Sequence, residues 1–296
     1  MAGLYPRPVR RVSLALLALV AALALAVAAS PVAAEPPGHD RAPGLEVDLR
    51  VASFNMAAGM GDLSATADAI EDLDADIVGL QEVDVHWGAR SDFEDQAARL
   101  AEMLDMEVFF APIYTFEPFE EGDPDREYGL AFLSDYPLHE TINHDLTRLS
   151  TQGEDPEPEP MPGFPQVTAN VKGVTVDLYN THLDYRGDPT VRELQVDDTL
   201  EILGDEPAPA VLLGDLNAPP EAPELAPLFE VMDDAWAVAG EGDGFTFPAE
   251  DPDARIDYVL ATPDIEVRDA QVVDTQASDH LPVVADLTVE RDVPGH

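Results

Sequence analysis

A chain of 296 residues with 15 Lys or Arg against 60 Asp or Glu carries a formal charge of −45, and such a surface repels polyanions at long range. It contains no cysteine. That excludes disulfides, thiolate metal sites and a lipobox anchor, so any metal must be held by oxygen or imidazole ligands.

Residues 1–34 read as a secretory signal: Arg7, Arg10 and Arg11 form a basic start, Leu14–Ala29 is free of charge, and Val32-Ala33-Ala34 offers small residues for cleavage. An uncleaved anchor is the alternative, but the apolar run is short of the roughly 20 residues a span needs. Cleavage predicts a secreted, extracellular protein with no stable membrane insertion. Residues 35–46, with Pro36, Pro37 and Pro43, read as a flexible linker, and residues 47–291 as one domain.

The mature part keeps 12 basic and all 60 acidic residues, a formal −48, and Lys172 is its single lysine. This composition fits a salt-adapted protein whose self-repulsion is screened at high ionic strength. The Debye length falls from about 10 Å at 0.1 M to about 3 Å at 1 M salt. The melting temperature is therefore expected to rise with NaCl up to molar concentration, measured without substrate and with Mg²⁺ fixed. A flat or falling trend would rule out salt adaptation and leave the acidity to be explained by a bound cation layer or a basic partner.

In chain order, Val47–Phe54 predicts a strand and Ser64–Leu73 a helix with Ser64 as its N-cap. Asp76–Gln81 is a buried-strand pattern that delivers Glu82 at its mouth. Phe93–Leu104 predicts a second helix with Phe93, Ala97, Leu100, Ala101 and Leu104 on one face. Val108–Ala111, Gly129–Leu133 and Leu138–Ile142 predict strands. Thr151–Pro165, with five Pro and four acidic residues, predicts an extended exposed loop. Val167–Val171 and Val174–Tyr179 predict a hairpin around Lys172-Gly173, and Pro189–Leu203 a helix. Ala210–Leu213 is a strand and Glu221–Phe229 a Pro-broken helix or loop. Ile256–Ala261, Val267–Val273 and Val283–Val289 close the chain as strands.

Polar clusters punctuate these apolar runs. A carboxylate such as Glu82 beside a buried strand is costly unless paired or bound to a cation, so it is a candidate hard-metal ligand, with Asn55 a carbonyl donor nearby. Asp215 and Asn217 are two residues apart, a spacing that suits one for an attacking water and the other for a phosphate oxygen, or else marks a turn before Pro219-Pro220. His280, in Ser278-Asp279-His280, could act as a general base with Asp257 fixing its tautomer, Asp279 could reach a metal, and His182 could donate to a phosphoryl oxygen. In a chain this poor in cations, Arg126, Arg186, Arg192 and Arg255 beside these motifs suggest phosphate clamping.

The ordered set Ser53-Phe54-Asn55, Gln81-Glu82-Val83, Tyr128-Gly129-Leu130 through Ser134, Asn180-Thr181-His182, Gly214-Asp215-Leu216-Asn217, Arg255-Ile256-Asp257-Tyr258 and Ser278-Asp279-His280 resembles the endonuclease/exonuclease/phosphatase superfamily, the deoxyribonuclease I-like fold. The resemblance implies an α/β protein, a four-layer α/β sandwich of two packed mixed β-sheets flanked by helices. It implies a phosphohydrolase dependent on Mg²⁺ or Mn²⁺, with Asn55, Glu82 and Asp279 as metal ligands. His280, oriented by Asp257, is then the general base, Asp215 aligns or activates the water, and Asn217 and His182 bind phosphate. Arg186 and Arg192 are the expected clamp. The expected activity is a secreted metal-dependent phosphodiesterase of unassigned substrate, acting as a monomer. Substrate choice falls to the loops 112–127 and 151–165, both acidic. An extracellular nuclease is the rival reading, although a nucleic-acid partner is not favoured by these loops. A non-catalytic acidic cation-binding surface protein explains the charge but not the ordered motifs.

Overall fold

The computed structural model describes residues 46–204 and 209–290. The expected signal peptide and nearly all of the expected linker lie outside the described residues, and Glu46 opens the first strand instead of closing the linker. The first half of the chain runs β1 (Glu46–Asn55), α1 (Leu63–Asp72), β2 (Ile77–Val85), α2 (Gln96–Leu104), β3 (Glu107–Phe116), β4 (Arg126–Ser134) and β5 (Leu138–Arg148). The second runs β6 (Glu159–Val171), β7 (Val174–His182), α3 (Thr190–Leu203), β8 (Ala210–Asp215), α4 (Ala226–Val231), β9 (Asp233–Asp234), α5 (Ala235–Ala239), β10 (Asp257–Ala261), β11 (Ile265–Val272) and β12 (Val283–Glu290).

The strands form two six-stranded mixed sheets, ordered β11-β12-β1-β2-β4-β3 and β5-β6-β7-β8-β10-β9. Side chains alternate along a strand, so one parity faces the other sheet and the opposite parity faces a helix. In β1, Val47, Leu49 and Val51 face inward, where they meet Leu178, Val211 and Val259 of the second sheet. Ala52 and Phe54 face outward against Ile70 and Leu73 of the α1 segment and Leu100 of α2. On the far side, Val196 and Leu203 of α3 and Leu228 of α4 cover Leu212, Tyr258 and Leu260. Strands covered on both faces read as near-continuous apolar runs, which is why Ile77–Leu80 and Ala210–Leu213 lack alternation. The result is the expected four-layer α/β sandwich.

That parity positions the site. Following the inward residues to the ends of their strands leads from Val51 to Asn55, from Leu178 to Asn180 and His182, from Leu213 to Asp215, and from Val259 back to Asp257. Pairing sets them side by side: His182 is opposite Asp215 in the parallel β7–β8 pair, and Asp215 is opposite Asp257 in the antiparallel β8–β10 pair.

Three local expectations change. The N-cap of α1 is Asp62, whose carboxylate accepts from the backbone of Ser64 and Ala65 at 3.2 and 3.3 Å; Ser64 lies inside the first turn. Asp95 caps α2 by accepting from Ala98 N at 2.9 Å, so the helix begins after Phe93, which is exposed and has a left-handed backbone. Residues 159–165, expected in a loop, belong to β6 despite three prolines. They pair only with β5, since pairing to β7 begins at Gln166. One extra residue between Met161 and Phe164 brings Pro160, Pro162 and Pro165 into phase. All three can then turn their missing N–H groups to the side where no strand pairs.

Gly129 is fixed by packing. A Cβ there would meet the Ala111 carbonyl oxygen at 2.1 Å and Pro112 Cα at 2.7 Å, both backbone atoms that cannot swing aside. Gly129→Ala is expected to cost at least about 1–3 kcal/mol of stability. Gly88→Ala, with open space around its Cβ and an extended backbone, is expected to be near neutral. Urea unfolding of both variants checks this, and equal midpoints would contradict the packing argument.

Candidate active site

Asp215 is the hub. It is buried at the end of β8, and its Oδ2 faces Asn55 Nδ2 at 3.1 Å, His182 Nε2 at 3.5 Å and His280 Nε2 at 3.8 Å. Its Oδ1 accepts from the backbone N–H of Asn217 at 2.8 Å. Burial, with the nearby Asp257 carboxylate adding to it, pushes the Asp215 carboxyl up to about 6.

His280 is held from two sides. Its Nδ1 lies 2.9 Å from Asp257 Oδ2, and its ring packs on Phe247 with centroids 4.7 Å apart. Its backbone N–H donates to Ser278 Oγ at 3.1 Å, and that hydroxyl donates to the Asn55 carbonyl at 2.7 Å, tying the segment before β12 to the end of β1. Burial alone would lower the imidazole, but the charge of Asp257 and its hydrogen bond outweigh that and raise it to about 9. At neutral pH the pair is therefore an imidazolium with Nδ1–H given to Asp257 and Nε2–H facing Asp215.

Glu82 reaches the same place by an irregularity. It sits within β2 rather than at the end of a strand. The β2–β4 register slips by one residue between Leu80 and Val83, and Glu82 adopts a left-handed φ of 58°. Leu80, Val83 and Val85 all remain on the outer face, so the bulge turns both Gln81 and Glu82 off it. Asn180 stabilises the bulge from the opposite sheet. Its Nδ2 donates to the Leu80 and Ala131 carbonyls at 2.9 and 3.0 Å, and its Oδ1 accepts from Gln81 Nε2 at 2.7 Å. The sequence marked Asn180 only as part of a motif; its role as the bridge between sheets required the bulge to be seen.

Asn55 Nδ2 donates to Glu82 Oε1 at 3.3 Å as well as to Asp215, so two carboxylates converge on one neutral amide. Among the described residues no Lys or Arg lies within 4.0 Å of Glu82. Although Arg90 and the His280 imidazolium share the cavity, Glu82 has no ion-pair partner among the described residues, and such a free hard oxygen donor fits a divalent ion of the Mg²⁺ or Mn²⁺ type. Asp215, Asp257 and His280 also bring ligand atoms within 4.8 Å of one another. In that group Nδ1 is engaged with Asp257, so only Nε2 and Asp215 are turned to the cavity, and proton handling explains the cluster better than ligation.

The remaining expected residues divide. Glu82, His182, Asp215, Asn217 and His280 all line one cavity of about 320 Å³. Asn217 does so with a left-handed φ of 50° and its amide donating to the Leu183 carbonyl at 3.0 Å, so turn geometry, and not strand alternation, brings it beside Asp215. Asp279 is exposed, is not among the cavity's lining residues, and its carboxylate meets Ser278 Oγ at 3.5 Å; the structure does not bring it to Glu82.

The expected clamp is spent on internal bonds. Arg192 is buried, donates to Glu224 at 2.7 and 3.0 Å, and also serves the carbonyls of Asp184 and Arg186. Arg186 is paired with Asp184 and turned to the Leu149 and Ser150 carbonyls. Neither lines the cavity. Arg255 bridges to Asp234 at 2.7 Å, and Arg126 lies over Phe119 at 3.9 Å, away from the cavity. Sequence proximity misled because guanidinium groups are long enough to satisfy local carboxylates and carbonyls first. The arginines that do line the cavity are Arg90, paired with buried Asp84 at 2.6 and 2.8 Å, and Arg148. Neither stands beside a motif, and nothing in the local sequence singled them out.

Comparison with known proteins identifies the family and the fold. The pattern of the Endonuclease/Exonuclease/phosphatase family matches residues 52–280. Among solved structures, an endonuclease/exonuclease/phosphatase from Beutenbergia cavernae is 25% identical, with a TM-score of 0.64, covering 82% of this chain and 72% of that one. One from Bacteroides vulgatus is also 25% identical, with a TM-score of 0.63 and coverage of 82% and 99%. A mannosyl-6-phosphatase from Bacteroides thetaiotaomicron, at 20% identity and a TM-score of 0.59 over 81% and 99%, shares the fold. No curated protein matches the chain.

Proposed function

Because the chain belongs to the endonuclease/exonuclease/phosphatase family, whose members hydrolyse phosphoesters, we propose that it is a secreted, divalent-metal-dependent phosphodiesterase with Asp215 as the proton acceptor for the attacking water. The observation that carries this is the convergence of Asn55, Glu82, His182, Asp215, Asp257 and His280 from both sheets onto one point. The water proton passes to Asp215, the buried carboxylate whose basicity is raised. His280 keeps its proton through Asp257 and presents Nε2–H to the phosphoryl oxygens or the departing alkoxide. That reverses the role expected from sequence, in which His280 was the base. His182 and Asn217 add donors on the same side of the cavity. A bound Mg²⁺ or Mn²⁺, held by Glu82 and Asn55, supplies charge neutralisation of the phosphoryl group. Asp279 joins that ligand set only if its exposed carboxylate turns inward.

Secretion rests on the signal-like residues 1–34, and a monomer remains the expected state. The −48 charge of the mature chain favours small phosphoesters over polymeric nucleic acid. A panel run with Mg²⁺ at several salt concentrations tests this: bis-p-nitrophenyl phosphate, p-nitrophenyl phosphate, phospholipid, DNA and RNA. Turnover of the small diester ahead of the monoester supports the reading. Efficient cleavage of DNA or RNA with little diester turnover would replace it with the extracellular nuclease.

A further inference from the structure

Arg148, at the end of β5, is a buried guanidinium in the wall of the catalytic cavity and forms no ion pair among the described residues. Nη1 donates to the His182 carbonyl at 2.9 Å and Nη2 to the Gly163 carbonyl at 2.8 Å, while Nε has no partner. Burial lowers it to about 10, still protonated at neutral pH. A buried charge is normally paired or functional. The contrast within the same cavity is direct, since Arg90 is neutralised by a two-point bond to Asp84. Arg148 therefore offers positive charge to whatever enters.

Its surroundings separate it from the reacting end. The carboxylate acting on it is Asp184, which is none of the catalytic ones and is itself paired with Arg186. Part of the cavity wall is aromatic. Trp87 packs on Tyr114 and Tyr128 with centroids 6.3 and 5.6 Å apart, and Thr151 N–H holds the Tyr114 hydroxyl at 2.9 Å. The cavity thus presents the Glu82–Asp215–His280 cluster, His182 and Arg148, joined by an aromatic wall whose Tyr128 also neighbours Glu82.

We propose that Arg148 is the specificity residue for a second oxyanion, phosphate or carboxylate, carried by the substrate in addition to the phosphoester that reacts. The proposal rests on the phosphohydrolase reading of this cavity, and it predicts that the preferred substrates are small dianionic or polyanionic phosphoesters. One arginine, desolvated and held by two carbonyls, provides a fixed fork for such a group.

The test compares three ligands: propyl phosphate, 3-phosphooxypropanoate and 1,3-propanediol bisphosphate. Each is measured as an inhibitor of bis-p-nitrophenyl phosphate hydrolysis and, independently of turnover, as a shift in melting temperature. In the wild type, one or both two-anion compounds should bind about tenfold or more tighter than propyl phosphate, and which one does so identifies the oxyanion. In Arg148→Gln and Arg148→Lys that ratio should fall toward one, most completely in the glutamine variant. If Arg148→Gln does not fold, the lysine variant and the wild-type ratio carry the test. A wild type that does not discriminate overturns the proposal, as does an unchanged ratio in a folded variant. Equal weakening of all three ligands would assign Arg148 to the reacting phosphate instead and overturn it too. Absence of hydrolysis with the binding ratios intact would contradict the phosphohydrolase reading and leave the Arg148 site standing.

Discussion

Asp215→Asn should lower kcat by about 10²–10⁴-fold while leaving the protein folded. The amide is nearly the shape of the carboxylate and can keep the backbone bond from Asn217, but it cannot accept the proton of the attacking water. Stability should change in its pH dependence. The folded-state value of Asp215, about 6, lies above its ordinary 3.8, so its contribution to stability is fully present below 3.8 and is lost as pH rises through 6. The neutral amide removes that titration but turns an NH2 in place of Oδ2 toward Asn55 Nδ2 and the His280 Nε2–H. The wild type's melting temperature should therefore fall more between about pH 4 and 7 than the variant's. The pH profile gives a second readout. Wild-type kcat/KM should rise through about 6 as Asp215 ionises and fall through about 9 as His280 loses its proton. The rising limb should be missing in the residual activity of Asp215→Asn. Near wild-type kcat in that variant would remove Asp215 from the mechanism.

Much of this site was legible as residues and little of it as geometry. Apolar runs ending in Asn, Asp or His are a local signal, and strand parity converts each into an inward-facing group, which is how Asn55, His182, Asp215 and Asp257 could be picked out. The family resemblance added the order of the motifs and with it the two-sheet architecture. Glu82 does line the cavity, but not for the reason the sequence offered: it is delivered by a bulge within β2, and a bulge is set by pairing between strands that are far apart in sequence. Asn180 and Arg148 act through distant carbonyls for the same reason, and no local pattern reports such partners. The arginine clamp was misread because charge near a motif is not charge at the site; Arg186 and Arg192 find Asp184 and Glu224 first. The roles of His280 and Asp215 also depend on burial and on their mutual distance, neither of which is written in Ser278-Asp279-His280 or Gly214-Asp215.

The central claim, that this cavity hydrolyses phosphoesters with a divalent ion held at Glu82 and Asn55, is tested most directly by metal removal. Glu82 and Asp215 share one amide, and among the described residues no Lys or Arg lies within ion-pair distance of Glu82, so the ion is left to balance its charge. An oxygen-donor set of this kind releases its metal to a chelator, and the chain has no thiolate to retain a softer one. The protein should be treated with EDTA, dialysed, and assayed on bis-p-nitrophenyl phosphate at pH 7.5 before and after addition of Mg²⁺ or Mn²⁺. Turnover should fall by about 10²-fold or more on chelation and return with either ion, and Glu82→Gln should require a higher metal concentration for the same rate. Undiminished turnover after exhaustive chelation would contradict the account.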